Sequence, residues 1–465
     1  MKPPLMLTAE QTPQIPVEAG PAPEPPRDTA VLIVGAGPTG LTLASFLAHR
    51  GIPFVIVDRR PAGSTASRGA VIHSRTLQVL DRVGVGAALV ERGVIMPRFT
   101  MRQRHRAMLT VPFGGVPGPY GYSASVPQNV TEQVFTAHLS AGGNQVHRGW
   151  EVVELQVEAG QGSSPDQVSA VLVDGAGRRR SITARFLVGC DGLHSRVREL
   201  SGIGFAGTRY SQTFEMADVR MDWPLPRDGI DLTMSADGLL VVFPLPDGVF
   251  RIIATVRSGT GQSGEADAAT GTATAEPEGQ VSPEQLQRIL DRRGPLGRRT
   301  GRSLSRSGRA RPVLRDVLWT TRFSIQNRLA DTFRSGPVFL AGDAAHVYSP
   351  AGGQGMNLGI RDAAELGEVL SDVLSGRRDP DHLDTYNDRR RPLAQDVVTL
   401  TDRMTRAVTL TNPVKRGIRN AVVTLMGLIP PLPGKLATKL SGHAEPLFGE
   451  SAHRGADSLA PVVRV

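Results

Sequence analysis

A single cysteine, Cys190, is all that this chain of 465 residues contains. It has no partner within the chain for a disulfide and no companion thiolates for a metal cluster, so a reducing, cytoplasmic setting is expected. Spacings such as HExxH and CxxC are missing too, and no metal site is expected. Aromatic residues are scarce at 5%. The net charge of +9 therefore comes without the aromatic-interleaved basic stretch or recognition helix that a nucleic-acid partner requires. The positive residues are nearly all arginine, spread along the chain, and anionic cofactors account for them more economically. Long apolar runs are lacking as well. The longest late one, "AVVTLMGLIPPLPG", is about half of what a membrane span needs and is broken by Pro430 and Pro431. No stable membrane insertion is expected, while peripheral contact stays open.

Glycine and proline are plentiful, at 52 and 35 residues, so turns and close backbone approaches must be frequent. With 40% hydrophobic and 21% charged residues, the chain is globular and long enough for two domains. Residues 1–27 lack the basic start, apolar core and cleavage site of a signal peptide and read as a Pro-rich disordered leader. The expected fold class is α/β. A Rossmann-like domain with a parallel sheet takes residues 28–200 and 336–410, with an inserted sheet excursion. A β-rich domain with helices on one side takes 201–335, including a hairpin through Pro246, Asp247 and Gly248 and a mobile low-complexity loop at about 257–280. Residues 411–465 form a helical tail.

The chemistry begins at "AVLIVGAGPTGLTLASFLAHRGIPFVIVDRR". Gly35, Gly37 and Gly40 make GxGxxG directly after a strand, and Pro38 and Thr39 open the helix that follows. The first glycine permits a tight turn, the second admits a pyrophosphate to the backbone, and the third lets helix and strand pack closely. A phosphate then meets the free N–H groups at the positive helix end. Asp58, with Arg59 beside it, closes the next strand. A carboxylate there accepts from a ribose diol; alone it would read as a turn acid, and the glycine turn before it favours the ribose. Two further strand ends follow. One is "FLVGCDGLHSRVREL", with Asp191 and Gly192, and the other is "VFLAGDAAHVYSPAGGQGMNLGIRDAAEL", with Gly342 and Asp343.

These three ordered motifs resemble those of the class A flavoprotein monooxygenases, the single-component FAD hydroxylases of the p-hydroxybenzoate hydroxylase type. Within that group the chain is most similar to the aromatic polyketide hydroxylases of antibiotic pathways. The resemblance covers roughly residues 28–200 and 336–410. It implies that Asp343 contacts the FAD ribitol and that Asp191 and Gly192 serve both FAD and the nicotinamide cofactor. It also implies FAD contacts for Arg68 in "SRGAVIHSRTLQVL" and for Gln128 in "VPQNVTEQVF". Gly352, Gly353 and Gly355 have no side chains to keep a flat isoalloxazine ring off the backbone. The helix start behind them would stabilise negative charge on the reduced ring, with backbone contacts from Met356 and Asn357. Pro350, by the same resemblance, borders the face that reacts with oxygen, and no side-chain acid or base is assigned.

The activity implied is reduction of FAD by NADPH or NADH, addition of O2 to give a C4a-hydroperoxyflavin, and transfer of one oxygen atom to an aromatic, polycyclic polyketide substrate. No second glycine motif exists for the nicotinamide cofactor, which the family binds transiently. Substrate contacts are expected at Met234, Val242, Phe243 and Pro244, from their position in the sheet. Baeyer–Villiger oxidation or epoxidation would use nearly the same motifs. A reductase or halogenase of the same fold is a further alternative, though Trp150, Trp223 and Trp319 do not form the WxWxIP pattern of halogenases. His346, His73 and His105 stay undecided between capping, core and acid–base roles, and Cys190 is expected to pack at a strand end. The tail is too short for the thioredoxin-like domain that many relatives append, which leaves the oligomeric state open.

Overall fold

The computed structural model describes residues 24–63, 69–104, 106–160, 166–256, 281–296, 310–349, 353–408, 410 and 412–445, without side chains for 209–212. Arg68, His105, Pro350, Gly352 and the loop at 257–280 lie outside the described residues.

Two eight-stranded sheets organise the chain. The first is parallel at its centre: Asp28–Val34 lies between Phe54–Asp58 and Arg179–Gly189, with Val146–Arg148 and Val338–Leu340 outside them. These central strands are continuous apolar runs because both of their faces are buried. Val31, Leu32 and Ile33 have no exposed surface, and neither do Leu41 and Leu43 on the helix Pro38–His49 that follows. Trp150–Glu158 and Gln167–Asp174 extend the sheet antiparallel from Arg179–Gly189. Glycine sets the distance between the layers. A Cβ at Gly367 would come within 2.7 Å of the Phe46 side chain, so this residue lets the helix Gln354–Leu374 lie close against Pro38–His49.

The second sheet is mostly antiparallel. Its order runs His346–Val347, Val313–Ala330, Phe205–Asp222, Phe250–Val256, Gly238–Pro244, Gly229–Ser235, Arg98–Gln103 and Arg106–Pro112. The hairpin turn is present, with Asp247 and Gly248 both at positive φ, as a two-strand reversal of this twist prefers. Two of the strands, Arg98–Gln103 and Arg106–Pro112, come from the N-terminal half of the chain, so the sheet draws on both sides of residue 200. The helix Pro283–Arg293 packs on one face through Leu286, Ile289 and Leu290. Beyond Asp384–Val408, the helices Pro413–Leu428 and Pro431–Leu440 pack on the outer strand Arg106–Pro112.

Candidate functional site

The three strand ends meet. Gly35 N–H donates to Val57 O at 2.7 Å, Cys190 N–H to Val34 O at 2.7 Å, and Ala341 N–H to Gly189 O at 3.0 Å, so four neighbouring strands finish level with one another. A parallel sheet must end this way, and its carboxyl edge is where open α/β sheets bind ligands. Contact between the loops is too close for any side chain. A Cβ on Gly35 would lie 2.4 Å from Cys190 O, one on Gly40 would lie 1.9 Å from Gly35 O, and one on Gly342 or Gly359 would lie 2.5 Å from Thr39 Oγ1. Arg198 locks the second loop to the third, donating to Leu193 O at 3.0 Å and to Ala344 O at 2.9 Å.

Other glycines face open space. Nothing lies within 4 Å of where a Cβ would sit on Gly37, Gly192 or Gly355. These positions floor a cavity of about 770 Å3 that runs from Asp58 and Arg59, past Pro38, Thr39, Asp191 and Asp343, to Gly353, Gly355 and Met356. The volume falls in the upper part of the range usual for ligand sites, about 300–1,000 Å3. Gly353 adopts φ 65°, a left-handed conformation that suits glycine, and caps the helix Gln354–Leu374 so that its first N–H groups open into the cavity. The side chain of Asn357 fastens this helix start to the neighbouring chain. It accepts from His73 N–H at 2.8 Å and donates to Val71 O at 2.8 Å and Gly353 O at 2.7 Å.

Charges along the cavity are arranged unequally. Asp58 accepts from Ala36 N–H at 2.8 Å and from Arg60, through N–H at 2.8 Å and Nε at 3.2 Å. Burial pushes its carboxyl up, but these bonds outweigh burial and hold it below the ordinary carboxylate value. Arg59 is exposed and pairs with Glu151 at 3.6 Å. Burial dominates at Asp191 and raises its carboxyl, although Oδ2 accepts from Arg196 and Val197 N–H at 2.7 and 3.2 Å. Among the described residues Oδ1 of Asp191 has no hydrogen-bond donor, which leaves a buried acceptor beside the cavity for a ligand hydroxyl or amide. Gln128 accepts from Gly69 N–H at 3.1 Å and donates to Glu132 at 2.9 Å, bridging two segments of the wall. Cys190 is buried and free, and burial raises its thiol, the inert behaviour of a packed cysteine.

Past Met356 the cavity becomes apolar. Phe99 and Met101, Ile230 and Leu232, Leu239, Val241 and Phe243, and Ile253 come from adjacent strands of the second sheet, while Met404, Val408 and Leu440 close the other side. Strand alternation corrects the expected substrate wall. Phe243 lines the cavity, but Val242 points to the opposite face, in a cluster with Leu240, Leu286 and Leu290. Met234 is buried in the core with Phe99 and Leu239, and neither it nor Pro244 lines the cavity.

Residues that the motifs did not single out hold the site in shape. Asp362, with no exposed side-chain surface, accepts from His346 Nε2 at 2.5 Å, Arg390 Nε at 2.7 Å and Gly342 N–H at 3.2 Å. Burial raises its carboxyl, but Arg390 and His346 more than offset this and bring it down to about 2. Tyr348 stacks on His346 with ring centroids 5.6 Å apart. His346 is thus a buried partner of Asp362 that also lines the cavity, and among the described residues its Nδ1 has no hydrogen-bond partner. His73 sits in the wall with Nδ1 3.0 Å from Ser123 Oγ.

Fold and crevice together have the form of a dinucleotide-binding α/β protein, with the crevice along the carboxyl edge of its parallel sheet. Residues 28–401 match the family described as FAD binding domain, and the chain belongs to that family. It is 35% identical to a 6-methylpretetramide 4-monooxygenase of Streptomyces rimosus, over 83% of this chain and 63% of the relative. It is 32% identical to a pentachlorophenol 4-monooxygenase of Sphingobium chlorophenolicum, over 82% and 65% respectively. The chain therefore spans less than two thirds of the length of either relative. Among solved structures, the anhydrotetracycline hydroxylase OxyS of Streptomyces rimosus superposes with a TM-score of 0.69 at 28% identity, covering 89% of this chain and 76% of that one.

The residues fit FAD. The unobstructed glycines, the unpartnered Asp191 oxygen and the helix start at Gly353 together form a cradle for a dinucleotide with a flat end group.

Proposed function

We propose that this chain is an FAD-dependent monooxygenase that uses NADPH or NADH and O2 to hydroxylate an aromatic, polycyclic substrate. One observation carries the reading: the glycine-floored crevice opens without interruption into an apolar chamber, with a helix N-terminus at the junction. Three of the named relatives and neighbours act on aromatic or polycyclic compounds, and the chamber is built for such a shape.

In this reading Gly35, Gly37, Thr39 and the start of helix Pro38–His49 receive the pyrophosphate, Asp58 the ribose, and Asp343 the ribitol. Asp191 offers its free oxygen to the flavin or to the nicotinamide nucleotide. Bound FAD supplies the redox chemistry, accepting two electrons from the nicotinamide and activating O2. The substrate gains one oxygen atom, the second leaves as water, and the nicotinamide is oxidised. The chain's own part is orientation and protection. The N–H groups behind Gly353 stabilise negative charge on the ring. Phe99, Leu232, Val241, Phe243 and Ile253 hold an aromatic carbon beside it and keep water out. These five side chains are apolar, so shape selects the substrate along this wall.

The test is oxidation of NADPH and NADH by the FAD-loaded protein, in air, against a panel of polycyclic phenols. A compound that accelerates oxidation and returns as a product heavier by one oxygen atom supports the proposal. Oxidation that no compound accelerates, with all reducing equivalents recovered as hydrogen peroxide, overturns it.

A further inference from the structure

The helix Pro413–Leu428 packs inward through Val423 and Gly427, yet keeps most of its large apolar side chains outward. Val414, Ile418, Leu425 and Leu428 are between 57% and 73% exposed, and Val422 is half exposed on the same side. Their spacing of three and four residues puts them on one continuous stripe. The inward side carries Arg419, which is 9% exposed and donates to the carbonyls of Ala407 and Val408 at 3.1 and 3.2 Å. A surface helix normally buries its apolar stripe and shows its charges. Here a buried arginine caps the end of helix Asp384–Val408 while the apolar stripe faces outward, and no described residue covers it.

The helix is nevertheless firmly attached. Asn412 caps its start through the N–H groups of Val414 and Lys415. A bend of 102° leads into Pro431–Leu440, and the segment after it is tied to the nucleotide-binding domain. Arg75 N–H donates to Ser441 O, Gln354 Nε2 to Leu440 O, and Arg361 pairs with Glu445 at 2.9 Å. The exposed stripe is therefore part of the fold and not a fraying end.

Charge identifies what would cover it. No Asp or Glu occurs between Asp402 and Glu445, whereas Lys415 on this helix and Lys435 and Lys439 on the next are exposed. A second copy laid against the same face would bring these cations together with no acid from this segment to pair them. An anionic lipid surface complements both features, taking the apolar side chains at the level of the acyl chains and the lysines among the headgroups. No single described helix is long and apolar enough to cross a bilayer, so the fitting geometry is a helix lying in the interface. The location has a use, because Val408 and Leu440, at the ends of the adjoining helices, line the apolar chamber.

We propose that the outward face of Pro413–Leu428 docks this protein on anionic lipid. The claim is independent of the proposed oxygenation. It is tested with the full chain by co-sedimentation with vesicles of phosphatidylcholine containing a minority of phosphatidylglycerol, and with vesicles of phosphatidylcholine alone. Binding to the first and not the second, weakened by salt, is expected, with a monomer in solution by light scattering. Ile418→Glu with Leu425→Glu should weaken binding by about tenfold or more with an unchanged thermal midpoint. Should that variant fold poorly, Val414→Ser with Leu428→Ser reads the same face. The inference is overturned if the wild-type chain leaves anionic vesicles unbound, or if folded variants bind as well as wild type. A wild-type dimer that the substitutions split into monomers would overturn it too, and would give the face to a second copy.

Discussion

Replacing Asp362 by Asn removes the negative charge from the buried junction of His346, Arg390 and Gly342, and the cost can be worked from the contacts. Asp362 is fully buried and the Arg390 side chain is only 4% exposed. Breaking a buried ion pair by removing one partner costs about 3–5 kcal/mol, mainly because the other charge is stranded. Arg390 keeps weaker company in Glu445 at 3.5 Å and Glu365 at 3.6 Å, so a loss near the lower end, about 3 kcal/mol, is expected. Proton linkage gives an independent figure. The carboxyl falls from an ordinary 3.8 to about 2 in the folded state, which corresponds to about 2–3 kcal/mol. The sign follows from the depressed value: this stability is fully present above about pH 4 and is lost as pH falls towards 2. Urea unfolding followed by tryptophan fluorescence measures both quantities. Asp362→Asn should lower the midpoint by about 1 M and flatten the acid limb of stability against pH. Combining it with Arg390→Met should recover part of the loss, with a coupling of about 2 kcal/mol. Single variants within about 0.5 kcal/mol of wild type, or losses that simply add in the double variant, would refute the reasoning.

Two glycines of the first motif should separate folding from ligand binding. Gly37→Ala has φ −80° and open space for its Cβ, so the apo protein should keep its stability while FAD affinity, read by fluorescence quenching, falls about tenfold or more; unaltered affinity would remove Gly37 from the pyrophosphate site. Gly40→Ala drives a Cβ into Gly35 O and should lose soluble folded protein, which expression yield and circular dichroism report. Adjacent residues of one strand should likewise divide. Phe243→Ala should raise KM for an accepted aromatic substrate with little change in FAD affinity, whereas Val242→Ala should cost about 2 kcal/mol in urea unfolding and leave KM unchanged. An equal effect of both on KM would contradict the strand alternation. Arg60→Ala removes the guanidinium bonds and charge that help hold the Asp58 carboxyl down, and leaves the backbone N–H bonds from Arg60 and Ala36. Burial would then raise its carboxyl, and FAD affinity should begin to fall at a higher pH than in wild type as Asp58 is protonated.

Much of the candidate crevice was legible along the chain because its determinants are local. Gly35, Gly37 and Gly40 are required by a turn that one strand and one helix enforce between neighbouring residues, and the hairpin at Asp247 and Gly248 is equally local. The same is true of strand ends, where an apolar run stops at a glycine and an acid, as at Asp191 and Asp343. The pattern after Asp58 does not tell Arg60 from Arg59, since two successive arginines differ only in which side chain reaches back to Asp58.

The sequence by itself determined the motifs, their order and the parallel unit that carries the first of them. Tertiary structure decided what lies across from what. It brought Arg98–Gln103 into the second sheet beside Gly229–Ser235, chose Val241 and Phe243 over Val242 for the chamber, and joined His346, Asp362 and Arg390 from three separate elements. It also turned the stripe of Pro413–Leu428 outward by giving Arg419 carbonyls to bind inside. The physical reason is common to all four: a side chain's facing depends on register and packing against distant residues, and the energies that fix it are shared between partners far apart in the chain.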